Sequence, residues 1–365
     1  MVGSNRIGKL SGTQIEPRIG TQIGVQIGLV VVVVLGAMVA GACDRGHPQR
    51  EAPVAEPPAA PGAPTASSPA AVPAAALPAT VPGCTLDPLP VRRPAAARLV
   101  AIGDLHGDLA ATRAALRAAG AIDDHDRWSG GDLVVVQTGD ALDRGDDERA
   151  ILDLIARLEP EAAAAGGALI ALLGNHELMN AAGDFRYVTP AGLHAFDDAP
   201  GPAAALASRA PAAMKPRIAA LGPGGSYARQ LARHAVVAIV GDTVFSHAGV
   251  LAAWAPEIDG ANQRARCWLD GQASEPPPVM TADDGPVWTR AFGGSSVDCA
   301  ELHAALDALH VQRMVVGHTV QPGGINAACD GALWRIDAGM TKVFGGPIQV
   351  LQLAPGPPKV LAGAR

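Results

Sequence analysis

From Arg98 onward the chain alternates short runs of Val, Ile, Leu and Ala with longer stretches of helical character. Leu99-Val-Ala-Ile, Leu133-Val-Val-Val-Gln and Ala168-Leu-Ile-Ala-Leu-Leu are short, almost uniformly apolar runs and read as buried strands. Between them, Leu109 to Ala119 and Glu148 to Leu158 read as helices. Strands alternating with helices of this length predict βαβ units and a mostly parallel sheet in the first half. Further strands are predicted at Val236-Val-Ala-Ile-Val, Thr243-Val-Phe, Met314-Val-Val, Ala332-Leu-Trp-Arg-Ile and Ile348-Gln-Val-Leu-Gln-Leu. Their tighter spacing near residues 235–246 and after 331 predicts antiparallel hairpins. The expectation is an α/β chain with a central pair of mixed sheets flanked by helices, without internal repeats.

The first part of the chain has another texture. Ile27 to Ala42 is an almost wholly apolar run of 16 residues, short of the roughly 20 that span a membrane comfortably. Arg6, Lys9 and Arg18 precede it, and small residues Ala40, Gly41 and Ala42 close it before Cys43. That is the order of a secretory leader. Ala-Gly-Ala-Cys resembles a bacterial lipobox in which Cys43 is lipidated, although Ala40 stands where Leu is usual; cleavage after Ala42 and an uncleaved anchor are the alternatives. From there to residue 97, Pro, Ala, Ser and Gly dominate, a composition that cannot bury enough apolar surface to order itself. The expected organisation is a leader over 1–42, a Pro/Ala-rich disordered tether over 43–97 and a catalytic domain over 98–365. The expected location is the bacterial cell envelope, with the chain held to a membrane through its N-terminus and the domain facing the periplasm or the outside.

Composition narrows the picture. A net charge of −7 over 365 residues provides no basic field for counterion release, so a nucleic-acid partner is excluded. With 3% aromatics against 48% hydrophobic residues, the core is built from Ala, Val and Leu. Beyond Cys43 there are four cysteines, Cys84, Cys267, Cys299 and Cys329. Export permits two disulfides in three connectivities; Cys267 with Cys299 and Cys84 with Cys329 is a trial pairing. No Cys-x-x-Cys supports a zinc finger.

The chemistry lies in the segments just beyond the strands. They are Gly103-Asp-Leu-His-Gly-Asp, Gly139-Asp-Ala-Leu-Asp-Arg-Gly, Gly174-Asn-His-Glu, Ser246-His-Ala-Gly and Gly317-His-Thr. Loops beyond the carboxyl ends of parallel strands meet on one edge of a sheet, where sites are built. Asp104, His106, Asp140, Asn175, His247 and His318 are oxygen and imidazole donors without thiolate, a set that suits divalent Mn, Fe or Zn. Six ligands exceed what one ion with an open position needs, so two ions bridged by a carboxylate such as Asp140 are expected. Such a pair activates a bridging hydroxide for in-line attack on phosphorus. His176, oriented by Asp143, is the candidate acid for the leaving oxygen, and Arg144 offers a bidentate fork to phosphate. Asp104 to Asp140 is 36 residues and Asp140 to Asn175 is 35, each one strand–helix–strand unit.

These five motifs resemble those of the calcineurin-like metallophosphoesterases, and the second and third look like the phosphoprotein phosphatase branch. The resemblance spans most of residues 98–353 and implies that family's four-layer α/β/β/α sandwich. It implies that Asp104 and His106 bind one ion, that Asp140 bridges, and that Asn175, His247 and His318 bind the other, manganese being first among Mn, Fe, Zn and Mg. Asp108 and Ala248 stand where eukaryotic serine/threonine phosphatases have Gln and Gly. Gly183-Asp-Phe-Arg-Tyr-Val and Pro286-Val-Trp-Thr-Arg look more like the bacterial-type, Shewanella-like phosphatases. By that likeness Arg290 and Arg186 supply a second phosphate contact, the bland reading of either being a surface ion pair. The expected activity is hydrolysis of phosphate monoesters, on phosphoproteins carrying phosphorylated Ser, Thr or Tyr or on small phosphoesters. The competing readings are a nucleotide phosphatase, a dinucleoside polyphosphate hydrolase, a phosphodiesterase, or a non-catalytic envelope lipoprotein.

Overall fold

In the computed structural model, residues 81–200 and 210–364 are described. The leader, Cys43 and most of the expected tether lie outside them. Among the described residues, no helix is long and apolar enough to cross a membrane.

In chain order the strands are β1 (Arg92–Arg93), β2 (Leu99–Ile102), β3 (Val134–Gln137), β4 (Ala168–Ala171), β5 (Val237–Val240), β6 (Thr243–Ser246), β7 (Arg313–Val316), β8 (Asn326–Ala328), β9 (Leu333–Arg335), β10 (Gln349–Ala354) and β11 (Lys359–Ala362). The α-helices are α1 (Leu109–Ala118), α2 (Glu148–Ala164), α3 (Asn175–Ala181), α4 (Lys215–Leu221), α5 (Ser226–Leu231), α6 (Ile258–Leu269), α7 (Pro278–Thr281) and α8 (Cys299–Leu309). One sheet runs β11-β10-β2-β3-β4 and the other β1-β5-β6-β7-β9-β8. In the first, β2, β3 and β4 are parallel and β10 is antiparallel to both its neighbours. In the second, β6, β7 and β9 are parallel, while β5 and β8 run antiparallel to β6 and β9.

Side chains alternate across a strand, so residue parity sorts them into layers. Leu99, Ala101, Val136, Ile170, Ala238, Phe245, Val315 and Leu351 form one apolar cluster between the sheets. Val100, Ile102, Val135, Val237, Ile239, Val244, Met314 and Val316 belong to the second cluster, with the buried faces of the helices. Burial on both sides is why these strands read as continuous apolar runs. The result is the expected four-layer sandwich with two mixed sheets. Asp108 starts α1 by accepting the Ala111 N–H on its side chain, and Asp298 caps α8 by accepting from Ala300 and Glu301. Helix α2 continues past Leu158, carrying Pro160 inside it.

Two expectations are corrected by the fold. The folded region begins before Arg98: Val91 is buried, β1 pairs with β5, and Cys84 is bonded to Cys267. The tether therefore cannot extend to residue 97. The second disulfide joins Cys299 to Cys329, so the trial pairing is wrong at both bonds. The antiparallel pairing expected after 331 is present with other partners, β10 with β11 and β9 with β8, while the segments 332–336 and 348–353 lie in different sheets.

Candidate functional site

Because β2, β3 and β4 are parallel, and β6, β7 and β9 likewise, the loops after these strands gather at the carboxyl edges of the two sheets. Hydrogen bonds tie the edges together. The backbone N–H of His318 donates to the Asp104 carboxylate, and His247 Nδ1 meets the Thr138 carbonyl at 2.8 Å. Asp140, Asp143, Arg144, His106 and His318 all have positive φ, a conformation that costs a non-glycine residue about 1–3 kcal/mol. Glu177 holds the most strained of these loops. Its buried carboxylate accepts the N–H groups of Gly174, Asp140, Ala141 and Leu142 at 2.7–3.1 Å. Gly174 and Gly317 are glycine for want of space: a Cβ on either collides with the Asp140 or the Asp104 carboxylate.

All six expected ligands are buried and brought together. Asp140 Oδ2 is the hub, 3.3 Å from His247 Nε2, 3.7 Å from His106 Nε2 and 3.8 Å from His176 Nε2. Asp104 Oδ2 lies 3.9 Å from His106 Nε2, and Asn175 Oδ1 lies 3.0 Å from His247 Nε2. Two donor groups satisfy the spacing for an ion, His106 with Asp140 and His176, and Asp140 with His247 and His318. The tautomers agree with metal binding. His106 and His247 each donate Nδ1–H to a carbonyl, of Leu142 and Thr138, which turns Nε2 toward Asp140 and, in the neutral ring, makes it a lone pair. His318 is turned round: Nε2 donates to the Trp288 carbonyl at 3.2 Å, which leaves Nδ1 free. The result sets His247 Nε2 and His318 Nδ1 3.0 Å apart. Two lone pairs held face to face need a cation or a proton between them.

Electrostatics points the same way. Burial lowers the pKa of His106 to about 4 and, reinforced by His247, that of His318 to about 3, so both rings are neutral ligands near neutral pH. Burial together with Asp337 and Asp140 raises the Asp104 pKa well above the usual carboxylate range. These are groups in need of positive charge.

His176, the expected acid, behaves differently. Burial opposes its protonation, but Asp140 and a 2.6 Å hydrogen bond from Nδ1 to Asp143 outweigh it and raise its pKa. Asp143 is held in turn by Asn180, whose Nδ2 donates to it at 2.9 Å. Behind both lies Arg217, fully buried on α4. Its Nε donates to Asn180 Oδ1, its two terminal nitrogens donate to Glu148 at 2.6 and 3.0 Å, and one of them reaches the Gly192 carbonyl. His176, Asp143, Arg217 and Glu148 thus form a buried chain in which basic and acidic groups alternate. The sequence reading missed Asn180, Arg217 and Glu148. Asn180 carried a signal, lying one helical turn from His176; a lone arginine in Lys215-Pro-Arg-Ile carried none.

A cavity of about 390 Å³ opens onto these groups, lined also by Arg144, Arg186, Arg290, Tyr187, Phe344 and Asp337. The Arg144 guanidinium is sandwiched between the rings of Tyr187, at 4.6 Å, and Phe344, at 5.2 Å. It forms no ion pair to a described residue, which keeps its charge available. Arg290 donates to the His318 carbonyl and to Thr319 Oγ1. Arg186 reaches the cavity but is paired with Asp184 at 2.6 Å on an exposed side chain, as in the bland reading. Trp288 lines the cavity, and its carbonyl orients His318. Asp108, one of the departures noted in the sequence, is a scaffold: its second oxygen accepts the Lys342 N–H.

The chain matches the family model described as calcineurin-like phosphoesterase over residues 97–322. It is 40% identical over 280 residues to Shewanella-like protein phosphatase 2 of Arabidopsis thaliana, covering 67% of this chain and 72% of that one. It is 28% identical over 260 residues to Shewanella-like protein phosphatase 1 of Plasmodium berghei (strain Anka), covering 67% of each. Among solved structures it is similar to a cold-active protein tyrosine phosphatase, with a TM-score of 0.60, 25% identity and coverage of 73% and 76% of the two chains.

Proposed function

The chain belongs to the calcineurin-like phosphoesterase family and is a phosphatase, and from that premise we propose that it hydrolyses phosphate monoesters on phosphoproteins at a dinuclear divalent metal centre. The observation that carries this reading is the Asp140 carboxylate facing three imidazoles while a ring nitrogen of His247 lies 3.0 Å from one of His318. In the proposed assignment Asp104 and His106 would hold one ion, Asn175, His247 and His318 would hold the other, and Asp140 would serve both. Such a pair supplies activation of water and polarisation of the phosphoryl group.

The chain's own residues do the rest. Arg144, without a carboxylate partner among the described residues and held against two rings, binds phosphoryl oxygens through its fork. Arg290 lines the same cavity as a second cation for the same group. His176 carries a proton on Nε2, the nitrogen turned toward Asp140 and the cavity, while Asp143 fixes the other nitrogen. It gives that proton to the leaving oxygen as the P–O bond breaks. Protein substrates are supported by the names of the relatives and by the open aromatic rim of Tyr187 and Phe344, two of the three exposed large apolar side chains among the described residues. A place in the cell envelope is proposed on the leader sequence and the two disulfides.

The test is a substrate panel on metal-stripped protein reloaded with Mn, Mg, Fe or Zn. Phosphotyrosine and phosphoserine peptides, a nucleoside monophosphate and a bis-phosphodiester are compared. Turnover of phosphopeptides above the nucleotide is expected. Cleavage confined to the diester refutes the monoesterase reading, and preference for the nucleotide refutes the protein substrate.

A further inference from the structure

Asp337 stands two residues beyond the end of β9, in a sixth strand-end loop at the same edge. It is 2% exposed, lines the cavity with His106, Asp140 and His318, and is not one of the six ligands or the proton-donating chain. One of its oxygens, Oδ1, accepts the Gly339 N–H at 3.0 Å. The other, Oδ2, is buried without a hydrogen-bond partner. An orphaned buried carboxylate oxygen is costly and calls for an explanation.

The explanation lies in its neighbour. Asp337 and Asp104 are both buried, and Asp337 shares its cavity wall with the expected ligands His106, Asp140 and His318. Among the described residues neither forms an ion pair with a lysine or arginine, and the His106 ring 3.9 Å from Asp104 is neutral. Carboxylates buried in one cluster repel unless a proton or a cation lies among them. The same cavity wall carries donors suited to a metal, His106 with its Nε2 lone pair and the shared hub Asp140.

We infer that Asp337 is a ligand of the metal centre, completing with Asp104 and His106 the donor set for one of the two divalent ions. The inference rests on the dinuclear reading under Proposed function. It gives that ion two carboxylates besides the bridging Asp140, against one amide and two imidazoles on the other side. The two positions thus differ in charge, and the Asp337 side is the one that holds the harder ion.

The alternative is a proton shared between Asp104 and Asp337, and Asp337→Asn separates the two. An asparagine can donate to Asp104 as a protonated carboxyl does, but it cannot replace the anionic ligand. Full-length protein, wild type and D337N, is stripped with EDTA and titrated with Mn²⁺ alone. Bound metal is read by elemental analysis, affinity by calorimetry and ion–ion coupling by electron paramagnetic resonance. The wild type takes up two ions with a coupled spectrum. In D337N one ion is retained, the second binds at least about tenfold more weakly, and at limiting Mn²⁺ the coupled signal is lost. Two ions bound with wild-type affinity and coupling overturn the inference and leave the shared proton in its place. A wild-type chain that binds fewer than two ions refutes the dinuclear reading, and this inference with it.

Melting in EDTA keeps folding apart from binding. Removing one of two buried carboxylates leaves metal-free D337N at least as stable as the wild type, while its gain in melting temperature on adding Mn²⁺ is smaller. An equal gain overturns the inference. Asp337→Ser, which also removes the carboxylate, carries the same comparison if D337N does not fold.

Discussion

Replacing Arg217 with methionine perturbs the proton-donating end of the site from behind, without touching the cavity. The guanidinium is fully buried and all five of its N–H groups are used, on Glu148, Asn180, the Gly192 carbonyl and, at 3.5 Å, Asp143. Charge-assisted hydrogen bonds removed one at a time cost about 1.5–3 kcal/mol each. Their sum overshoots, because methionine regains apolar burial and Glu148 can escape by taking up a proton. Glu148 is already pushed that way, since burial raises its pKa even with Arg217 present. Breaking one side of a buried ion pair costs about 3–5 kcal/mol, and that is the expected loss in urea unfolding at neutral pH. A domain with about 5–15 kcal/mol in hand survives this, though barely at the low end. Removing the orphan as well, in Arg217→Met with Glu148→Met, recovers most of the loss. Stability and catalysis part company in the double variant: Asp143 has lost two neighbours and no longer fixes His176, so kcat stays depressed while metal content is unchanged. A single variant within about 1 kcal/mol of the wild type refutes the reasoning, whose scale comes from buried-pair energetics. So does a double variant that regains wild-type kcat.

The same geometry makes three shorter predictions. His176→Gln lowers kcat on phosphoserine peptides by about 10²–10⁴ with metal content intact, and much less on p-nitrophenyl phosphate, whose leaving group needs no proton. Equal losses on both would falsify the acid role. Tyr187→Ala with Phe344→Ala unpins Arg144; losing about 1–2 kcal/mol of cation–π contact raises KM about five- to thirtyfold, and an unchanged KM rejects the sandwich. The Cys84–Cys267 bond closes a separation of 183 residues and Cys299–Cys329 one of 30. Chain entropy therefore assigns them about 5 and 3.5 kcal/mol, so replacing the first pair with serines lowers the unfolding midpoint more than replacing the second, and the reverse order contradicts the entropic account.

What could be read from sequence depended on locality. Buried parallel strands are uniform apolar runs, and ligands come directly after them, so the loops carrying Asp104, Asp140, Asn175, His247 and His318 could be found one strand at a time. Asp337 obeys the same rule at the end of a strand that was itself foreseen, but its glycine, Gly339, comes after it instead of before, and the loop went unnoticed. Edge strands left no such mark: β1 is two exposed arginines that pair only because Val91 beside them is buried. Disulfide partners depend on how distant segments stack. Cys299 at the start of α8 meets Cys329 because α8 precedes β7 and the β8–β9 hairpin flanks it, an adjacency that spacing cannot supply. Arg217 is the extreme case, since its partners come from separate segments of the chain.

The segment between α3 and β5 is where these two kinds of information meet. It supplies Tyr187, whose ring packs 5.1 Å from that of His176 and whose carbonyl accepts the Arg144 N–H at 3.0 Å. It also supplies Arg217, which holds Asp143 from the opposite side. One insertion therefore shapes the rim that meets the substrate and the buried charge that keeps the acid aligned. The family's ligand motifs lie outside it, on the strand ends, where no change of rim disturbs them. The acid has no such separation: whatever moves this segment to admit a different substrate also moves a neighbour of His176. Changes in it are thus expected to alter kcat and KM together while leaving metal content alone, whereas changes in the ligand loops alter metal content first.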